Sequence, residues 1–140
     1  MSKLTGLSLF SNVGVAEAYF QQIGVDIVLA NELLPERARF YADVYQHTDM
    51  ICGDICNEAL RADIVERAID KKVDFIIATP PCQGMSKLGS MNPHDARNQL
   101  IYYAVDVIKR VRPKFVLGVY HGVCICPFLQ RLRFGTYYIG

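Results

Sequence analysis

The chain has 140 residues, 51% apolar and 21% charged, with a formal net charge of +1. That suits one soluble globular domain with a single core. No apolar run approaches the roughly 20 residues of a membrane span, and MSKLTGLSLFSN lacks a signal-peptide cleavage pattern, so a cytoplasmic protein is the default expectation. The near-neutral charge neither points to nucleic acid nor excludes a local basic face. Lys109, Arg110, Arg112, Lys114, Arg131 and Arg133 form an acid-free later stretch, which taken alone reads as solvated surface.

Strand-like and helix-like segments alternate. LSLFS at 7–11 reads as a short apolar strand, and GVAEAYFQQIG at 14–24 has helical composition. Between them, Gly14 lets the turn tighten. Asn12 tolerates the left-handed conformation that a glycine would otherwise supply. VDIVLA at 25–30 is β-branched and buried in character. LLPERARFYADVYQ at 33–46 sets Leu33, Leu34, Phe40, Tyr41 and Val44 at roughly helical spacing. DMIC at 49–52 reads as a third strand. Over 57–72, Leu60, Ile64, Ala68 and Ile69 form the clearest helical stripe. VDFIIA at 73–78 is the fourth strand, followed by a loop at 79–93 rich in Gly, Pro, Ser and Asn. A helix over 95–111 and a fifth strand from 114 to 119 complete the pattern.

This alternation predicts one α/β domain, a mostly parallel sheet with helices on both faces. In such sheets ligands bind outside the carboxyl ends of the strands. LFSNVG at 9–14 and TPPCQGMS at 79–86 both fall there. Glu32 follows the second strand, eighteen positions after Gly14. That is near the spacing at which an acid binds ribose hydroxyls in dinucleotide folds. Asp54, in GDI, is placed to accept a hydrogen bond from an adenine amino group. A helix cap beside a solvated carboxylate fits these residues equally well. A nicotinamide-dependent oxidoreductase would need a fuller glycine fingerprint than NVGVAE, and it leaves Pro-Cys-Gln unexplained.

The five cysteines are Cys52, Cys56, Cys82, Cys124 and Cys126. Their odd number argues against a disulfide framework. His121, Cys124 and Cys126 have no second pair at a usual zinc spacing, so no metal is expected.

In order, the segments resemble the blocks of the DNA (cytosine-5) methyltransferases of restriction–modification systems. SLFSNVGVAEAYF is similar to the first block, ANE at 30–32 to the second and GDI at 53–55 to the third. TPPCQGMS resembles the catalytic fourth block, DARNQL at 95–100 the fifth, and RPKFVL at 112–117 the approach to the sixth. The first block departs from the pattern: Ser8 stands where Asp is common, and Asn12 and Val15 where Gly is common.

The resemblance implies a Rossmann-like fold binding S-adenosylmethionine. Phe10, Ser11, Asn12 and Gly14 would line its methionine end, Glu32 would hold the ribose and Asp54 the adenine. Ile55 and Pro80 would add to the pocket, and Asn98 and Leu100 would close over it. Cys82 would be the nucleophile on C6 of a cytosine flipped out of double-stranded DNA. Pro80 and Pro81 would fix the backbone before it. Gln83, Ser86 and Arg97 would support the loop. The sixth block's glutamate is missing, since no Asp or Glu occurs from Gly118 onward. A faint eighth block, QRLRF at 130–134, comes too soon. The expectation is therefore a cofactor and catalytic core at 1–117 with a divergent tail at 118–140. The target-recognition domain is missing, as in a chain truncated or frameshifted after about Leu117. Such a chain is either a methylase fragment, an inactive remnant, or a cofactor-binding half that a second chain completes.

Overall fold

A computed structural model describes residues 3–81 and 99–118. Among them, five strands form one parallel sheet: β1 (Leu4–Leu9), β2 (Val25–Glu32), β3 (Asp49–Cys52), β4 (Phe75–Ala78) and β5 (Phe115–Gly118). Their spatial order is β3-β2-β1-β4-β5. β1 therefore leads to β2 on one side and sits against β4 on the other. Connections leave in opposite directions at that point, and a crevice opens at the carboxyl ends.

Three α-helices connect the strands: α1 (Pro35–Val44), α2 (Glu58–Asp70) and α3 (Leu100–Val111). α1 begins with Pro35, whose missing N–H costs nothing in a first turn. Asn57 caps α2, its side chain accepting from the N–H groups of Ala59 and Leu60 at 2.9 and 3.4 Å. Ile64 and Ala68 of the expected stripe are buried, whereas Ile69 lies on the solvent side. They join Val65, Ala104, Val107 and Ile108 against Leu7, Leu9, Leu29 and Ile76 to make the main core. On α1 only Ala38 and Tyr41 are buried, so the helix docks by a narrower stripe than its apolar content suggested.

The opposite face of the sheet carries Val25, Ile27, Phe75 and Ile77, with Phe20, Leu4 and Leu117 packed against them. A Cβ on Gly6 would come within 2.5 Å of Ile27 Cδ1 and 3.3 Å of Phe75 Cδ1. The bare glycine thus lets these side chains close over β1.

The expected helix over 14–24 does not form as an α-helix. Bonds from Ala18 N to Val15 O, Phe20 N to Glu17 O and Gln22 N to Tyr19 O are all of the tighter i to i+3 kind. A 3-10 turn, Phe20–Ile23, ends at Gly24 with φ 85°. The physical reason is a poor apolar face: Val15, Tyr19 and Ile23 point to solvent, while Glu17 turns inward. The helix expected from position 95 is described only from Leu100, after a 3-10 residue at Gln99.

Candidate active site

The crevice holds a cavity of about 240 Å³ at the carboxyl ends of β1, β2, β3 and β4. Phe10 and Asn12 line it from the first turn, Asn31 and Glu32 from β2, and Gly53, Asp54 and Ile55 from the turn after β3. Thr79 and Pro81 enter after β4, and Leu100 stands at the start of α3. Leu33, Leu34 and Arg37 complete the wall beside Glu32.

The first turn depends on two non-glycine residues in the left-handed region, Phe10 at φ 57° and Asn12 at φ 53°. The asparagine was the residue expected to tolerate this. At Asn12 the strained turn aims a backbone N–H at Glu32 Oε2, 2.8 Å away. Leu34 N–H donates to Glu32 Oε1 at 3.1 Å. A carboxylate that is 6% exposed is thereby fixed by two amides, with acceptor capacity left on each oxygen. Asp54 is exposed and accepts from Cys56 N–H at 2.9 Å through Oδ1.

Gly14 is not among the lining residues; at φ 84° its ideal Cβ would lie 2.3 Å from a Tyr45 ring carbon. Its carbonyl accepts from Tyr45 Oη at 2.6 Å, so it seats the turn on α1. Ser11 is buried and donates through N and Oγ to Asn31 O at 3.1 and 3.3 Å. Pro80 is buried and also not among the lining residues. Cys82, Gln83, Ser86, Arg97 and Asn98 lie outside the described residues, as do His121, Cys124 and Cys126.

Residues that sequence reasoning passed over hold the site together. Asn31 Nδ2 donates to Ile51 O and Gly53 O at 2.9 and 3.2 Å, joining the ends of β2 and β3. Thr79 Oγ1 donates to Phe10 O at 3.1 Å, tying the entrance of the Pro80-Pro81 segment to the first turn. Beneath the turn, Ser8 Oγ donates to Glu17 Oε1. Burial pushes the Glu17 carboxyl above its ordinary range, although the Ser8 bond works the other way. Partial burial and then the neighbouring Asp54 push the Cys56 thiol up, opposite to the shift of an activated nucleophile. Among the described residues, no group of three or more His, Cys, Asp or Glu residues could hold a metal ion. No helix there is long and apolar enough to cross a membrane.

Strand order and cavity position together define a Rossmann-like methyltransferase fold. The family model for C-5 cytosine-specific DNA methylase matches residues 4–117, and the chain belongs to that family. It is similar to Type II methyltransferase M1.HgaI of Avibacterium volantium, 40% identical over 135 residues, covering 93% of this chain and 36% of the relative. It is also similar to Type II methyltransferase M.XorII of Xanthomonas oryzae pv. oryzae, 31% identical over 139 residues, covering 95% and 32%. A solved structure described as a DNA modification methyltransferase from an Escherichia coli prophage has a similar fold. Its TM-score is 0.68 at 24% identity, covering 92% of this chain and 36% of that one. The chain spans about a third of the length of the curated relatives it matches.

Proposed function

We propose that this chain carries the cofactor site and the nucleophile of a DNA (cytosine-5) methyltransferase of the restriction–modification kind, with S-adenosylmethionine as cofactor. The observation that carries the reading is one cavity bringing together Glu32, Asp54 and the segment that leads to Cys82. The acceptors suit the cofactor. Glu32 keeps lone pairs for a ribose diol, and Asp54 suits an exocyclic amine. Phe10, Leu33, Ile55 and Leu100 offer apolar surface to a purine and to the alkyl arms of a sulfonium. When bound, S-adenosylmethionine supplies an electrophilic methyl group on sulfur.

The chain's own chemistry is nucleophilic. The Cys82 thiolate adds to C6 of an extruded cytosine, which makes C5 electron-rich enough to accept the methyl. Loss of the C5 proton to a base then expels the thiolate and restores the ring. Pro80 and Pro81 limit the backbone before Cys82, and Thr79 anchors that approach through Phe10. Gln83, Ser86 and Arg97 support the loop. Ser11, Gly14 and Pro80 shape the cofactor site from behind or beside its walls, and Asn98 of the fifth block is the residue that the family resemblance assigns to closing over it.

A second reading is that this domain binds the cofactor while turnover requires a second chain. One experiment separates the two. The protein is incubated with labelled S-adenosylmethionine and double-stranded DNA, then with 5-fluorocytosine DNA. Methyl transfer abolished by Cys82→Ala supports the first reading. Cofactor binding without transfer or covalent trapping supports the second. Failure to bind the cofactor at all rejects both.

A further inference from the structure

Arg61 lies outside the cavity yet ties two of its walls together. It is 8% exposed. Its Nη1 donates to Ile55 O at 2.8 Å and Cys56 O at 2.9 Å. Its Nε donates to Asp106 Oδ2 at 3.1 Å on α3, and Nη2 pairs with Glu58 on its own helix. The guanidinium carbon sits 4.6 Å from the Tyr103 ring centroid. A buried cation is costly unless its donors are met. Here the planar fork meets two backbone carbonyls and two carboxylates, an arrangement an ammonium cannot reproduce.

The carbonyls it holds belong to the turn that presents Asp54 and Ile55 to the cavity. The Cys56 N–H, beside one of them, fixes Asp54 Oδ1. One of the acids it holds, Asp106, binds it to α3, whose first residue, Leu100, lines the facing wall. Arg110 makes a surface bridge between the same helices, to Glu58 at 3.0 Å and Asp106 at 3.2 Å. Among the described residues, Arg110 makes no hydrogen bond to the turn.

We propose that Arg61 is a positioning residue for purine recognition: it fixes the angle at which Asp54 meets the exocyclic amine. This rests on the cofactor reading above. The experiment is calorimetric titration of the whole chain with S-adenosylhomocysteine and with its inosine counterpart, which carries oxygen in place of the 6-amino group. The wild-type protein should prefer the adenine form by about tenfold or more, the worth of one hydrogen bond to a charged group. Arg61→Lys keeps the charge near Asp106 but not the fork, and most of that preference should vanish. Arg110→Gln, which loosens only the surface bridge, should keep it. If Arg61→Lys does not fold, Asp106→Asn leaves the guanidinium in place with a weaker anchor and should lower the preference about threefold. Unchanged preference in the folded Arg61 or Asp106 variant overturns the assignment. Equal erosion in Arg110→Gln overturns it too, because helix docking alone would then explain the effect. A wild-type protein that binds both ligands without preference removes Asp54 as purine reader and the assignment with it. One that binds neither defeats the cofactor reading itself.

Discussion

At the scale of single residues, the first turn is held from below as firmly as from the cavity side. Gly14 has both a left-handed backbone and a tyrosine ring against its bare α-carbon. Gly14→Ala should cost about 2–4 kcal/mol, from the left-handed penalty and the overpacking together. Urea denaturation measures it, and a loss under about 1 kcal/mol would mean that Tyr45 yields easily. Glu17 offers a pH signature. Its carboxyl is raised in the folded state by burial, and Oε2 has no hydrogen-bond partner among the described residues. The folded protein thus favours the protonated form. That contribution is present below the ordinary value of 4.5 and is lost as pH rises through the folded value. Glu17→Gln should match the wild type in acid and exceed it in stability toward neutral pH. Melting curves across pH check this, and a difference that stays flat with pH would exclude a raised carboxyl.

At the scale of elements, Asn57 is the most separable contributor. Removing its cap in Asn57→Ala should cost about 1 kcal/mol. The loss should appear as a lower urea midpoint with unchanged slope; an unaltered midpoint would show that water replaces the cap. The strands and α2 were legible because their signals are local: β-branched runs for β2 and β4, and a stripe with a capping asparagine for α2. The segment after Gly14 misled because its composition is helical while its periodicity is not tied to a buried face. Glu17, a polar residue, points inward, and Val15, Tyr19 and Ile23 point outward. In the site, Asn12, Glu32 and Asp54 were legible from turn chemistry and spacing. Asn31, Thr79 and Arg61 were not, because each acts through a backbone carbonyl twenty to seventy positions away or through another helix. No periodicity encodes such partners.

At the scale of the whole molecule, Val15, Tyr19 and Ile23 are 77%, 70% and 66% exposed along one segment. Exposed apolar side chains in a row favour association. Replacing all three with serine should shift sedimentation toward monomer without lowering the melting midpoint. A wild-type chain that already sediments as a monomer would overturn this expectation. The cavity, meanwhile, draws its lining from positions as distant as Phe10 and Leu100. No short stretch of the chain contains even half of it. Loop closure across such separations is slow and comes late in folding. Ligand capture is therefore a report on the finished sheet. A ligand at a hundred times its dissociation constant would add about 2.7 kcal/mol to the native state. Isolated peptides bearing SLFSNVG or GDI would bind nothing, since each holds one wall of a room that only the assembled strands enclose.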